Sequence, residues 1–156
     1  MKPHEASVGA TVEWYTPPEI FERLDAVFDL DPASPGKDVV PWVPARRHYT
    51  REDDGLSSPW DGYVWLNPPY GPEAVAFADK MADHGNGLLL LPARTETRMF
   101  QRMLARCWMV CFIAGRIHFI GSDGSPAKAT TFGSALFAFG GQAVAALTDA
   151  KLGHLA

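Results

Sequence analysis

Two consecutive prolines, Pro68 and Pro69, stand directly behind the apolar run Tyr63-Val64-Trp65-Leu66, so a strand formed by that run must end there. Neither proline supplies an N–H and each fixes φ, so no ladder of hydrogen bonds continues through them. The chain leaves the sheet at Asn67, with an amide side chain and the free carbonyls of Asn67 and Pro68 projecting from the strand end. In an α/β sheet, that edge is where ligands bind. An amide oxygen beside a peptide oxygen gives two acceptors suited to a planar –NH2 group. Tyr70 adds an aromatic face that can stack on the plane carrying that group.

Helical and strand signals alternate along the rest of the chain. Thr16-Pro17-Pro18-Glu19 reads as a capping box with proline at the first helical position, and Ile20, Phe21, Leu24, Val27 and Phe28 share the following apolar face. Phe28-Asp29-Leu30-Asp31-Pro32 reads as a short strand closed by proline. Residues 33–59 are rich in Pro, Gly and charge, and read as loop with one short strand near His48-Tyr49. The pattern predicts a helix over Pro72 to His84 with Ala74, Phe77, Ala78 and Met81 inward, and Gly85 and Gly87 at its stop. Gly87-Leu88-Leu89-Leu90-Leu91-Pro92 has the uninterrupted apolar character of a parallel strand buried on both faces. Thr95 is the expected cap of the next helix, with Met99, Phe100, Met103 and Leu104 on its apolar side, and residues 108–114 read as another buried strand. Residues 116–120 and 134–139 flank a Gly- and Pro-containing loop and suggest a late antiparallel pair, with a closing helix over 141–155. This alternation predicts one domain over residues 1–156 (1–12 a flexible lead-in), built as a three-layer α/β sandwich: a mostly parallel sheet with a C-terminal antiparallel hairpin.

At 156 residues the chain can bury one sizeable core, and its 47% hydrophobic and 21% charged shares are those of an ordinary globular protein. No apolar run approaches the ~20 residues needed to cross a bilayer, and the polar first residues lack the apolar stretch of a secretory signal. Cytoplasmic residence is the expectation. Cys107 and Cys111 read as buried thiols, because no further Cys or clustered His completes a metal site. The net charge of −4 does not announce a nucleic-acid binder. Yet acids gather at Glu52-Asp53-Asp54 and around Asp25, Asp29 and Asp31, while Arg94, Arg98, Arg102, Arg106 and Arg116 lie elsewhere. A segregated basic face can steer a polyanion on an acidic protein. For Arg98, Arg102 and Arg106, at helical spacing, the competing reading is a solvated helix face.

Five further segments accompany Asn67-Pro68-Pro69-Tyr70 in order: Glu13-Trp14-Tyr15-Thr16-Pro17, Phe28-Asp29-Leu30-Asp31-Pro32-Ala33-Ser34, Trp60-Asp61-Gly62-Tyr63-Val64-Trp65-Leu66, Leu91-Pro92-Ala93-Arg94-Thr95-Glu96-Thr97 and Gly115-Arg116-Ile117-His118-Phe119. Over roughly residues 13–140, this ordered set resembles the compact phage-type DNA N6-adenine methyltransferases. The resemblance implies a Rossmann-like methyltransferase sandwich in the cytoplasm of the cell (the host cell, for a phage protein), S-adenosylmethionine as methyl donor and DNA as partner. It implies that Asn67 and the Pro68 carbonyl accept hydrogen bonds from the N6 amino group of a flipped adenine, that Pro69 stiffens the turn, and that Tyr70 stacks on the base. No metal or membrane enters this chemistry, and the sequence leaves the oligomeric state open.

For the donor, the resemblance assigns Trp14, Tyr15, Thr16 and Pro17 to the methionine part, where a helix N-terminus offers N–H groups to a carboxylate. Asp31 falls near the methionine amino group or ribose, and Asp54, with Asp53 as substitute, near the donor's adenine. Each has a plainer alternative: Thr16 as a cap, Asp31 as a turn former, Asp53 and Asp54 as solvated loop charges. One departure stands out. The glycine-rich loop usual after the first strand is replaced by Asp31-Pro32-Ala33-Ser34-Pro35-Gly36, which has a single glycine. Arg94, Arg116 and Lys128 are the candidate phosphate contacts, with structural ion pairing the alternative for Arg94 and Arg116. No segment of this sequence is large enough for a separate recognition domain, so base reading is expected to fall to loops such as 39–53 or 121–131. The same chemistry also serves an RNA adenine or a protein glutamine, and loss of donor affinity would leave a non-catalytic DNA-binding relative.

Overall fold

The structure, a computed structural model, describes residues 14–125 and 130–156. Lys128 and the expected lead-in over 1–12 lie outside the described residues. In chain order the elements are β1 (Trp14–Tyr15), α1 (Pro18–Leu24), β2 (Phe28–Asp31), β3 (Ala45–His48), β4 (Val64–Leu66), α2 (Glu73–His84) and β5 (Gly87–Pro92). They continue with α3 (Arg98–Arg106), β6 (Met109–Ile113), β7 (Ile120–Gly121), β8 (Ser134–Phe139), α4 (Gly141–Ala150) and β9 (Gly153–Leu155).

Seven strands form one mixed sheet in the order β3-β2-β4-β5-β8-β6-β9, and β1 pairs with β7 in a separate ribbon. Alternation along the buried strands assigns side chains to two cores. Phe28, Trp65, Leu88 and Leu90 pack with Ile20, Phe21 and Leu24 of α1 and Leu147 of α4. Leu30, Val64, Leu66, Leu89 and Leu91 pack with Phe77 and Met81 of α2 and Phe100 and Met103 of α3. Helices therefore cover both faces, the arrangement that an all-apolar strand such as Gly87–Pro92 requires.

The parallel part of the sheet is β3-β2-β4-β5. From β2 the chain moves outward to β3 and returns on the other side of β2 as β4, so the direction of winding reverses between these two strands. A crevice at their carboxyl ends is the expected ligand site.

Several expectations need correction. Five of the seven strands run the same way, but three of the six pairings are antiparallel, because Ser134–Phe139 inserts between β5 and β6 and runs against both, and Gly153–Leu155 runs against β6. Its hairpin partner is not 116–120; Ile117 and Phe119 bury their side chains, and Ile120 pairs with Tyr15. The closing helix stops at Ala150, where Lys151 takes a left-handed conformation, and 153–155 adds an edge strand on β6. A Cβ on Gly153 would stand 2.0 Å from the Phe112 carbonyl, so the glycine permits that close pairing. The first helix ends at Leu24, with Asp25 left-handed, which leaves Val27 exposed. The cap of α3 is Thr97 rather than Thr95, its Oγ1 accepting from the Phe100 N–H.

Candidate active site

A pocket of about 730 Å³ opens at the crevice between the ends of β2 and β4. Its volume falls within the range of cofactor and ligand sites. Nine of the ten residues assigned from sequence to catalysis or donor binding line it: Trp14, Tyr15, Thr16, Asp31, Asp54, Asn67, Pro68, Pro69 and Tyr70. Pro17 is buried beside it and is not in the lining.

Asn67 follows the last residue of β4. Its Nδ2 donates to the Trp14 carbonyl at 2.9 Å and to Thr16 Oγ1 at 3.1 Å. A carbonyl oxygen can only accept, so the nitrogen of the amide must face β1, and the orientation of the carboxamide is settled chemically. No hydrogen bond among the described residues reaches its Oδ1 or the Pro68 carbonyl. At the strand exit these are two neighbouring acceptors left unused among the described residues.

Tyr70 is half-buried, and burial pushes its phenol up to about 12 while the Arg94 charge works in the opposite direction. Its ring meets Phe132 edge-on at 6.1 Å, and the Arg94 guanidinium lies 5.3 Å from the Phe132 ring. Arg94 is exposed and makes no ion pair among the described residues, against the alternative raised for it. Arg116 donates to the Thr130 carbonyl at 2.6 Å and also lacks an acidic partner among those residues. Neither arginine lines the pocket.

Thr16 is not a cap. Pro17 takes the N-cap position without a side-chain bond, and the Thr16 hydroxyl is engaged by Asn67 instead. With prolines at 17 and 18, the first turn of α1 also presents fewer N–H groups to a carboxylate than its position suggested.

Asp31 ends β2 with 5% exposure, and desolvation raises its carboxyl to about 7, with the Ala33 N–H acting in the opposite direction. That N–H donates to Asp31 Oδ1 at 3.2 Å, so Asp31 forms a turn as well as lining the pocket. Ser34 Oγ continues the same bend by accepting from the Gly36 N–H and contacting His48 Nδ1 at 2.7 Å. Side chains shape this loop where other enzymes use glycine. The glycine that this region requires is Gly55, packed against the loop from outside it: a Cβ there would stand 2.0 Å from the Pro32 carbonyl.

Asp54 has φ 53° and its carboxylate accepts from Ser57 Oγ at 2.7 Å, which holds it below the usual carboxylate range. Asp53 instead binds the Thr50 N–H at 2.9 Å and stays out of the lining. Sequence reasoning missed the apolar wall of Val39, Val40 and Val43, and the place of Leu56 and Phe77 in the lining. Only the Val39-Val40 and Val43 cluster inside an otherwise polar loop could have signalled it.

The helical arginines divide. Arg102 pairs bidentately with Asp79 and Arg106 with Asp83 on α2, while Arg98 stays exposed and unpaired among the described residues. Cys107 and Cys111 are free thiols, and the described residues contain no group of metal-binding side chains. No helix of the described residues is long and apolar enough to cross a membrane.

A family model described as DNA N-6-adenine-methyltransferase (Dam) matches residues 7–142. Comparisons with curated proteins and with solved structures give no match.

Proposed function

The chain belongs to the DNA N-6-adenine-methyltransferase (Dam) family, and from that membership we propose that it transfers a methyl group from S-adenosylmethionine to the N6 amino group of an adenine flipped out of DNA. The domain is read as a Rossmann-like methyltransferase sandwich spanning residues 1–156. The observation that carries the reading is the pair of acceptors without a partner among the described residues, Asn67 Oδ1 and the Pro68 carbonyl, beside Tyr70 in the pocket lining.

S-adenosylmethionine, when bound, supplies an electrophilic methyl on a sulfonium. Asp31 suits its methionine amino group, because a buried carboxyl raised to about 7 gains most from a neighbouring cation. Trp14, Tyr15 and Thr16 border the same end with Pro17 behind them, and Asp54 borders the donor's adenine. Asn67 Oδ1 and the Pro68 carbonyl accept the two N6 hydrogens of the substrate, localising the nitrogen lone pair toward the methyl. Tyr70 holds the base plane by stacking, and Pro69 keeps the turn rigid. N6 of the substrate would take the methyl of the bound donor, with the sulfur keeping the electrons of the S–C bond, and the methylated ammonium would be acidic enough to lose its proton to water. The work is positioning and fixed dipoles, with no strong base. Arg94, Arg116 and Lys128 serve as phosphate contacts that orient the DNA.

Labelled-methyl transfer decides the substrate. Unmethylated DNA is expected to acquire N6-methyladenine. Transfer to RNA adenine or to protein glutamine with none to DNA would replace the DNA reading, and absence of donor binding by calorimetry would leave a non-catalytic DNA-binding protein.

A further inference from the structure

We infer that Thr16 is a positioning residue for Asn67: with the Trp14 carbonyl, its hydroxyl fixes the carboxamide in the one orientation that offers Oδ1 to the exocyclic amine. The inference rests on the role proposed for Asn67 and changes the role expected of Thr16, from contact with the methyl donor to control of the base-binding acceptor.

A carboxamide has two nearly isosteric orientations, related by exchange of its oxygen and nitrogen. Only one of them accepts from an amine. The other would present –NH2 to –NH2 and set Oδ1 against the Trp14 carbonyl. The Trp14 carbonyl, which can only accept, excludes that second state, and the Thr16 hydroxyl takes the other Nδ2 hydrogen and so fixes the plane of the carboxamide, at 2.9 and 3.1 Å. Thr16 is well placed for this work. It is 2% exposed, it caps no helix, and its hydroxyl makes no other hydrogen bond among the described residues. Its backbone is held in turn, since Trp42 Nε1 donates to the Thr16 carbonyl at 2.8 Å. β1 is held by pairing of Trp14 with Gly121 and Tyr15 with Ile120. The acceptor geometry on the β4 exit is therefore set from a segment 51 positions earlier.

The arrangement separates two effects that a donor contact would merge. Thr16→Val keeps shape and burial but removes the acceptor; Thr16→Ser keeps it. Steady-state methyl transfer is measured for wild type and both variants, with donor concentration varied at saturating DNA. Thr16→Val is expected to lower kcat by about 10-fold with donor KM within about twofold, and Thr16→Ser to restore kcat to within about twofold of wild type. Unchanged kcat in Thr16→Val, or a raised donor KM alone, overturns the inference.

A second readout needs no turnover. The chain has only two asparagines, Asn67 and Asn86, so 15N-asparagine labelling gives two side-chain amides, assigned with Asn67→Ala. The Asn67 amide protons are expected to exchange with solvent about 10-fold slower than those of Asn86, which makes no side-chain hydrogen bond of its own among the described residues. Equal exchange overturns the inference even if Thr16→Val fails to fold. Wild-type protein that transfers no methyl to DNA but shows the protected amide would instead count against the proposed function and leave the positioning role standing.

Discussion

The Lys80 ammonium on α2 stands 2.8 Å from the carbonyl oxygen of Leu56, a residue of the pocket wall. It also donates to the Gly55 and Ser58 carbonyls at 3.1 and 2.6 Å, and lies 5.1 Å from the Trp60 ring. Three donors meeting three carbonyls knot the loop onto the helix that carries Phe77. Lys80→Met keeps the stem and removes all three bonds. The expected outcome is a loss of about 2 kcal/mol in stability, read as a Tm lower by about 4–8 °C, together with a donor KM raised severalfold. Thermal melts and donor titrations check both.

Asp31 predicts a pH dependence with a definite sign. Its folded value of about 7 lies above the unfolded value of 3.8, so between those values the native state binds more protons than the unfolded one. Stability from this group is full at low pH and is lost as pH rises toward 7, a change on the order of 4 kcal/mol for a shift of this size. A cationic donor group favours the ionised form, so donor affinity should rise to about pH 7 and then level off. Asp31→Asn should flatten both profiles, stabilise the free protein at pH 8 and weaken donor binding. Urea titrations and calorimetry across pH 5–8 read the two effects.

The exposed arginines should separate by their partners. Arg94 has no carboxylate neighbour among the described residues, whereas Arg106 is paired with Asp83. Arg94→Ala is expected to reduce the slope of log affinity for DNA against log salt by about 0.9. Arg106→Ala should leave that slope unchanged and cost at most about 1 kcal/mol of stability. Filter-binding or fluorescence titrations over a salt series distinguish them.

Tyr63 carries a buried hydroxyl without a hydrogen-bond partner among the described residues, and burial raises it to about 12. The ring itself stacks on Phe28 at 4.8 Å. Tyr63→Phe keeps the stacking and removes the unsatisfied group, so chemical denaturation should show stability unchanged or raised by up to about 1 kcal/mol.

Much of this was legible in the sequence because it is governed by local rules. Proline pairs end strands, and a run such as Leu88 to Leu91 has to be covered on both faces, so β4, β5 and the position of Asn67 follow directly. The misreadings involve long-range competition. Ser134–Phe139 is as apolar as any parallel strand, and its insertion between β5 and β6 depends on pairings that no local pattern encodes. Thr16 has the spacing of a cap, but a hydroxyl serves whichever donor the fold brings to it, and here that donor lies 51 residues away. The valines of 39–43 sit in a loop without periodicity, so nothing in their spacing revealed that they form a wall.

The central claim is that Asn67 Oδ1, with the Pro68 carbonyl, receives the amine that is methylated. Its most direct measurement is single-turnover formation of N6-methyladenine in DNA, quantified by nucleoside mass spectrometry for wild type and Asn67→Ala at saturating donor. The expected result is transfer by the wild type and a rate lower by ~10²-fold or more in Asn67→Ala, with donor affinity and melting temperature retained. Equal rates in the two proteins would contradict it.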